Sequence, residues 1–137
     1  MAESDLQQIR RRFNYCCGYC GVSETDTGGE LTVDHYEPRS AGGGESSQNL
    51  IYACFKCNQF KSAFLPTPED LANGRRVLHP LQDDFSDHLR ETPATGELES
   101  LTETGRFHIA LLHLNRPSLI AHRKRRRLIS LAKEKLQ

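Results

Sequence analysis

The sequence contains no tryptophan, and aromatic residues make up only 7% of the chain. Hydrophobic residues of all kinds reach 36%, which leaves little material for a large apolar core. Small proteins with a thin core usually gain stability from a bound metal or from disulfide bonds. The 137 residues have the length of one domain. We therefore expect residues 1–137 to form a single domain that depends on such an aid.

Long apolar segments are also missing from the chain. No run of 18 apolar residues occurs, so a transmembrane helix is not predicted. The first residues contain no apolar segment of the kind found in signal peptides. We therefore expect a cytoplasmic protein without a membrane partner. Thiols stay reduced in the cytoplasm, so paired cysteines there indicate metal binding rather than disulfides.

The chain has no net charge, but its charges are segregated along the sequence. Residues 82–103 carry seven acidic residues and one basic residue, whereas residues 116–137 carry eight basic residues and one acidic residue. The basic run 123–127 lies on a predicted helix, where it forms either a solvated face or a patch that contacts phosphates. On the second alternative, Arg123, Arg125 and Arg127 are the candidate nucleic-acid contacts.

The residue pattern predicts an α+β fold. Period-two alternation or a short apolar run predicts strands at 31–35 and 49–53, and turn residues at 93–96 predict a hairpin of 85–92 with 97–102. Between the first two strands, residues 37–48 contain a proline and three successive glycines and are predicted as a loop. Helices are predicted at 4–13, 58–65, 105–114 and 117–136.

Two Cys-x-x-Cys pairs are the strongest local signal in the chain. Zinc prefers four soft ligands in a tetrahedron, and the pairs Cys17/Cys20 and Cys54/Cys57 supply two thiolates each. The alternatives are two unrelated reduced pairs or a redox-active pair, which requires a thioredoxin-like context for only one of them. Cys16 is an alternative to Cys17, but the Cys-x-x-Cys-Gly form favours Cys17. The spacing therefore predicts a structural Zn²⁺ site.

The two pairs enclose and adjoin a group of polar residues. An ordinary zinc ribbon separates its pairs by about 15–20 residues, but here residues 21–53 intervene. This insert holds Asp34, His35 and Asn49, and the second pair is followed at once by Asn58 and then by Lys61. A zinc site at the cysteines therefore brings together the places where these five side chains emerge.

These motifs, in this order, resemble the zinc-ribbon-braced HNH endonucleases. The resemblance covers residues of about 10–65 and leaves a hairpin and helices at about 80–137 as an extension. It rests on Cys17-x-x-Cys20, Val33-Asp34-His35, Pro38, Gly42-Gly43, Asn49-Leu50 and Cys54-x-x-Cys57-Asn58-x-x-Lys61. It implies a ββα-metal core, and Asn58 in place of the histidine of many members makes this a His-Asn-Asn variant.

The resemblance also implies roles for the polar residues. His35 is the expected general base, since a neutral imidazole accepts a proton near pH 7. Asn49 is expected to orient its ring, Asp34 and Asn58 to ligate a catalytic Mg²⁺ or Mn²⁺, and Lys61 to meet a phosphate. Taken singly, these residues also have ordinary structural interpretations, such as a turn residue for Asn49 or a helix N-cap for Asn58.

The sequence therefore predicts a metal-dependent endonuclease that hydrolyses phosphodiester bonds of nucleic acid, with DNA as the expected substrate. The alternative is a non-catalytic zinc-ribbon module that binds nucleic acid or a protein partner. The combination of Asp34, His35, Asn49 and Asn58 favours the enzyme, because a binding module does not need all four.

Overall fold

The computed structural model describes residues 3–136. The α-helices of this range are α1 (Glu3–Arg12), α2 (Glu24–Thr27), α3 (Phe55–Lys61), α4 (Pro68–Ala72), α5 (Glu103–Leu112) and α6 (Pro117–Lys135). The strands are β1 (Thr32–His35), β2 (Leu50–Ala53), β3 (Leu89–Glu91) and β4 (Leu98–Ser100). Among residues 3–136, none of the helices has the length and hydropathy of a membrane-spanning segment.

A ββα unit forms the centre of the fold. β1 and β2 pair antiparallel, with Thr32 opposite Ala53 and His35 opposite Leu50. α3 follows β2 after a single residue and packs against β1. All four residues of β2 are buried, which explains why this strand lacks the alternation of a half-exposed strand. The predicted α+β class with a ββα arrangement is confirmed.

Apolar packing joins this unit to α1 before it and to α5 after it in the chain. Ile9 of α1 packs with Leu50 and Tyr52 on one side of the ββα unit. On the other side, Ile51 belongs to a cluster that includes Leu112 of the α5 end. Burial of a large aliphatic side chain contributes about 1.5–3 kcal/mol, so these contacts attach the C-terminal segment to the ββα unit through apolar packing.

The C-terminal hairpin and helices occur as expected, although the strands are shorter than predicted. β3 and β4 pair antiparallel with Arg90 opposite Glu99. The Asn115 amide, in the turn before α6, accepts a hydrogen bond from Leu98 N at 2.7 Å and donates one to Leu98 O at 2.9 Å. One side chain therefore fixes the hairpin to the junction of α5 and α6.

Three helices differ most from the sequence prediction: α3 has other bounds, and α2 and α4 were not predicted. α3 begins at Phe55 and ends at Lys61, instead of covering 58–65, because Cys54 caps it by accepting a hydrogen bond from Cys57 N. The unpredicted α4 begins at Pro68, which occupies the first turn, where a missing N–H costs nothing. Thr67 and Asp70 form a capping box at its start. Pro68 therefore begins a helix that the residue pattern did not predict.

Candidate metal centre and active site

Four cysteines come together where the turn after α1 meets the first turn of α3. The Sγ atoms of Cys17, Cys20, Cys54 and Cys57 all lie within 4.8 Å of one another. The Cys20 and Cys54 sulfurs are 3.7 Å apart, and four Zn–S bonds of 2.3 Å in a tetrahedron require about 3.8 Å. The donor set and its spacing therefore suit a structural Zn²⁺. Cys16 lies outside the cluster, with its Sγ on Asn14 O.

Backbone N–H groups lie close to two of the four cysteine sulfurs. The amide nitrogens of Tyr19 and Cys20 lie 3.4 Å from the Cys17 sulfur, and that of Cys57 lies 3.4 Å from the Cys54 sulfur. Gly21 makes the first turn possible because its φ of 84° lies in the left-handed region. The second pair flanks the first turn of α3, so a bound Zn²⁺ would fix the start of the helix that carries Asn58.

Asp34 of β1 is buried beside a cation. Its carboxylate is 5% exposed, and its Oδ2 accepts a hydrogen bond from the Tyr19 hydroxyl at 2.7 Å. Lys61 Nζ lies 3.1 Å from the same oxygen and also donates to His35 O at 3.0 Å. Both contacts use Oδ2, and Oδ1 has no hydrogen-bond partner among the described residues. Asp34 therefore keeps one oxygen for a ligand.

Lys61 differs from its expected role as a phosphate contact. Its side chain is only 1% exposed, and its ammonium is turned inward to β1 rather than outward to solvent. The physical reason is that the Asp34 carboxylate would otherwise be buried without a countercharge, which is costly in a protein interior. Lys61 therefore joins α3 to β1 and balances the charge of Asp34.

Asn58 lies one helical turn before Lys61, and its amide has a defined orientation. The Thr32 hydroxyl donates to Ala53 O at 2.8 Å, so it must accept in its contact with Asn58 Nδ2 at 3.0 Å. The Asn58 nitrogen is thereby used, and Oδ1 is left without a partner in the described part of the chain. Asn58 and Asp34 thus each offer one oxygen, and oxygen donors are what Mg²⁺ and Mn²⁺ prefer.

His35 ends β1, and its ring is held by a residue that the sequence analysis did not select. Nε2 lies 2.8 Å from Glu45 Oε1, and the ring is 14% exposed. Asn49 was expected to orient this ring, but its amide bonds Glu37 N, Glu37 O and Gly44 O instead. Asn49 therefore fixes the loop between β1 and β2 and acts on His35 only through that loop.

This loop, residues 36–49, is a built structure and not a flexible linker. A Cβ on Gly43 would lie 1.7 Å from Glu37 O, so only glycine permits this close approach. Arg39 Nε donates to Glu45 Oε1 at 2.9 Å. Hydrogen bonds from His35 and Arg39 lower the pKa of the Glu45 carboxyl below its ordinary value. The sequence signal for Glu45 is its acidic side chain and its place between the end of β1 and the start of β2, which meet at one edge of the hairpin.

Residues 17–64 match the HNH endonuclease family. These residues form an HNH endonuclease domain. No curated protein and no solved structure matches the chain. The matched range contains the four cysteines and the residues of the candidate active site, and the family implies nuclease activity and therefore a nucleic-acid substrate.

The basic run 123–127, on α6, is only partly accessible to phosphates. Arg123 is 3% exposed and donates to Leu114 O at 2.7 Å, so it braces the turn before α6 and cannot serve as the predicted phosphate contact. Arg127 is half-exposed and lies 3.8 Å from Glu91 of β3. Arg125 is exposed and lines a cleft beside the second cysteine pair.

Two further cations share this cleft with Arg125. They are Lys56 of the HNH domain and Arg116 of the turn before α6. Acidic side chains of the α2 region also line it, so the cleft combines charges of both signs. The surface that could meet a phosphate backbone is therefore made by three separate segments rather than by the 123–127 run alone.

Proposed function

We propose that the chain is a metal-dependent endonuclease that hydrolyses phosphodiester bonds of DNA. His35 is the general base, and Asp34 and Asn58 are the protein ligands of a catalytic Mg²⁺ or Mn²⁺. The observation that supports this most strongly is that Asp34 of β1 and Asn58 of α3, on two elements in contact, each keep one side-chain oxygen without a hydrogen-bond partner among the described residues. Neither oxygen is among the buried side-chain atoms that lack a partner, so both remain open to an ion.

The proposed chemistry follows from these groups. The neutral His35 imidazole takes a proton from a water molecule as the water oxygen bonds to phosphorus. The bond from phosphorus to the 3′ oxygen breaks, the 3′ oxygen takes a proton from solvent, and the 5′ phosphate remains on the other product. The divalent ion, when bound, supplies charge stabilisation to the phosphate and the departing oxygen. Asp34 and Asn58 hold that ion, and Lys61 keeps the Asp34 carboxylate in place.

A nicking assay tests the activity. The zinc-loaded protein should convert supercoiled plasmid to nicked plasmid with Mg²⁺ or Mn²⁺ and should be inactive in EDTA. His35→Ala should lower the rate by at least about 10²-fold, which is the low end for loss of a positioned proton acceptor. The matched control is His113→Asn, an exposed histidine outside the HNH domain whose positive φ asparagine tolerates.

The metal ligands are tested by a different readout. Asn58→Ala should raise the Mg²⁺ or Mn²⁺ concentration needed for half-maximal cleavage, because it removes an oxygen ligand and leaves the buried Asp34–Lys61 pair intact. Equal cleavage by folded His35→Ala would contradict the general-base assignment. Absence of cleavage with any divalent ion would leave a non-catalytic zinc-ribbon module, which the cleft at Lys56, Arg116 and Arg125 would suit.

A further inference from the structure

Glu45 contacts His35, although Glu45 belongs to none of the motifs that carry the resemblance to the HNH endonucleases. Its carboxylate is 54% exposed, and an exposed acid on a loop usually has no fixed orientation. Here Arg39 donates to Oε1, and His35 Nε2 lies 2.8 Å from the same oxygen. A charged side chain with two partners on one oxygen is oriented, and its orientation is toward the candidate base.

The contact defines which ring nitrogen carries the proton. An ionised carboxylate only accepts hydrogen bonds, so Nε2 must be the protonated nitrogen of the neutral imidazole. Nδ1 then carries the lone pair, and it has no hydrogen-bond partner among the described residues. The base nitrogen is therefore on the side of the ring opposite Glu45.

We propose that Glu45 is a positioning residue for His35: it accepts the Nε2 proton, holds the ring, and leaves Nδ1 to take the proton from water. This inference rests on the proposed nuclease function. Glu45 does not touch the reacting atoms, and it acts only through the imidazole. After proton transfer its negative charge also stabilises the imidazolium, as a carboxylate behind a catalytic histidine does.

The loop architecture supports this role. Asn49, at the end of the loop, bonds Glu37 near its start and Gly44 in its middle, and the close approach at Gly43 excludes any other side chain there. Glu45 follows directly after these restraints, so its backbone is fixed relative to the end of β1. The fold of the loop therefore places Glu45 near His35, and no mobile segment has to become ordered for the contact to form.

Substitutions at Glu45 should affect turnover and not substrate binding. Glu45→Ala should lower kcat by about 10- to 100-fold, the range for removal of a carboxylate partner behind a functional histidine, with KM unchanged. Glu45→Gln retains an oxygen that can accept the Nε2 proton, so it should recover part of that loss. The matched control Glu37→Gln removes the same charge from the same loop, where the side chain is exposed, and should cleave like the wild type.

A spectroscopic readout separates this inference from the activity itself. In ¹⁵N NMR of the zinc-loaded protein, neutral His35 should be protonated at Nε2 alone, whereas Glu45→Ala should give a mixture of both tautomers. Protonation at Nδ1 in the wild type, or a kcat of Glu45→Ala equal to that of Glu37→Gln, would overturn the proposal. If the wild type shows the Nε2 signature but cleaves nothing, the proposed function fails while the Glu45 contact stands.

Discussion

Removal of the Lys61 ammonium should be far more damaging than its place on a short helix suggests. Lys61→Met keeps a side chain of similar length but leaves the buried Asp34 carboxylate with only the Tyr19 hydroxyl as a partner. Breaking a buried ion pair by removing one member typically costs about 3–5 kcal/mol. Folded domains have a total stability of only about 5–15 kcal/mol, so the variant should be close to the limit of folding.

Chemical denaturation of the zinc-loaded protein measures this cost, and thermal unfolding should show a decrease in Tm of roughly 10–20 °C. Lys56→Met is the matched control, since Lys56 is exposed on the same helix and its loss should change the free energy of unfolding by less than about 0.5 kcal/mol. The double variant Asp34→Asn with Lys61→Met removes both charges and should be less destabilised than the sum of the single changes. Equal stability of Lys61→Met and Lys56→Met would refute the reasoning, because the ion pair would then be exposed to water.

Three further predictions concern the metal site, the basic segment and pH. Cys20→Ser should abolish zinc binding and unfold the protein, since binding of a structural metal is coupled to folding; Cys16→Ser should retain zinc, and a folded, zinc-free Cys20→Ser would contradict this. Arg125→Ala should flatten the salt dependence of DNA binding by about 0.9 in the slope of log K against log salt, whereas Arg123→Ala should mainly lower stability; an unchanged slope for Arg125→Ala would remove it from the interface. Burial lowers the pKa of His108 to about 3, so its contribution to stability is complete above pH 6.5 and is lost as pH falls toward 3. Between pH 7 and pH 5 the free energy of unfolding should therefore fall by about 2 kcal/mol more for the wild type than for His108→Asn. Equal losses in the two proteins would contradict a lowered pKa for His108.

The ββα unit was predictable because its signals are local. The alternation around Val33, the glycine-rich loop and the spacing of the cysteine pairs each depend on a few neighbouring residues. The start of α3 was not predictable in the same way, because Cys54 acts both as a candidate zinc ligand and as the helix N-cap. Pro68 shows the same limit, since proline is compatible with either the end of one helix or the first turn of another.

The direction of charged side chains depended on contacts between distant parts of the chain. Lys61 was expected at the surface, but it meets Asp34 across the space between α3 and β1. Arg123 belongs to a run of five basic residues, and only its position opposite the Leu114 carbonyl and the Gly96 carbonyl makes it buried. A run of like charges does not reveal which member faces the core.

The sequence by itself determined the residue types and spacing of the HNH domain: four thiolates in two pairs, an Asp-His dipeptide at a strand end, and two amides at set distances. Such patterns are visible because short-range spacing along a strand or helix limits where side chains emerge. The tertiary structure alone decided that Glu45, and not Asn49, contacts His35, and that Lys61 and Arg123 point inward. These outcomes follow from burial and charge balance, which arise only when segments far apart in sequence are packed together.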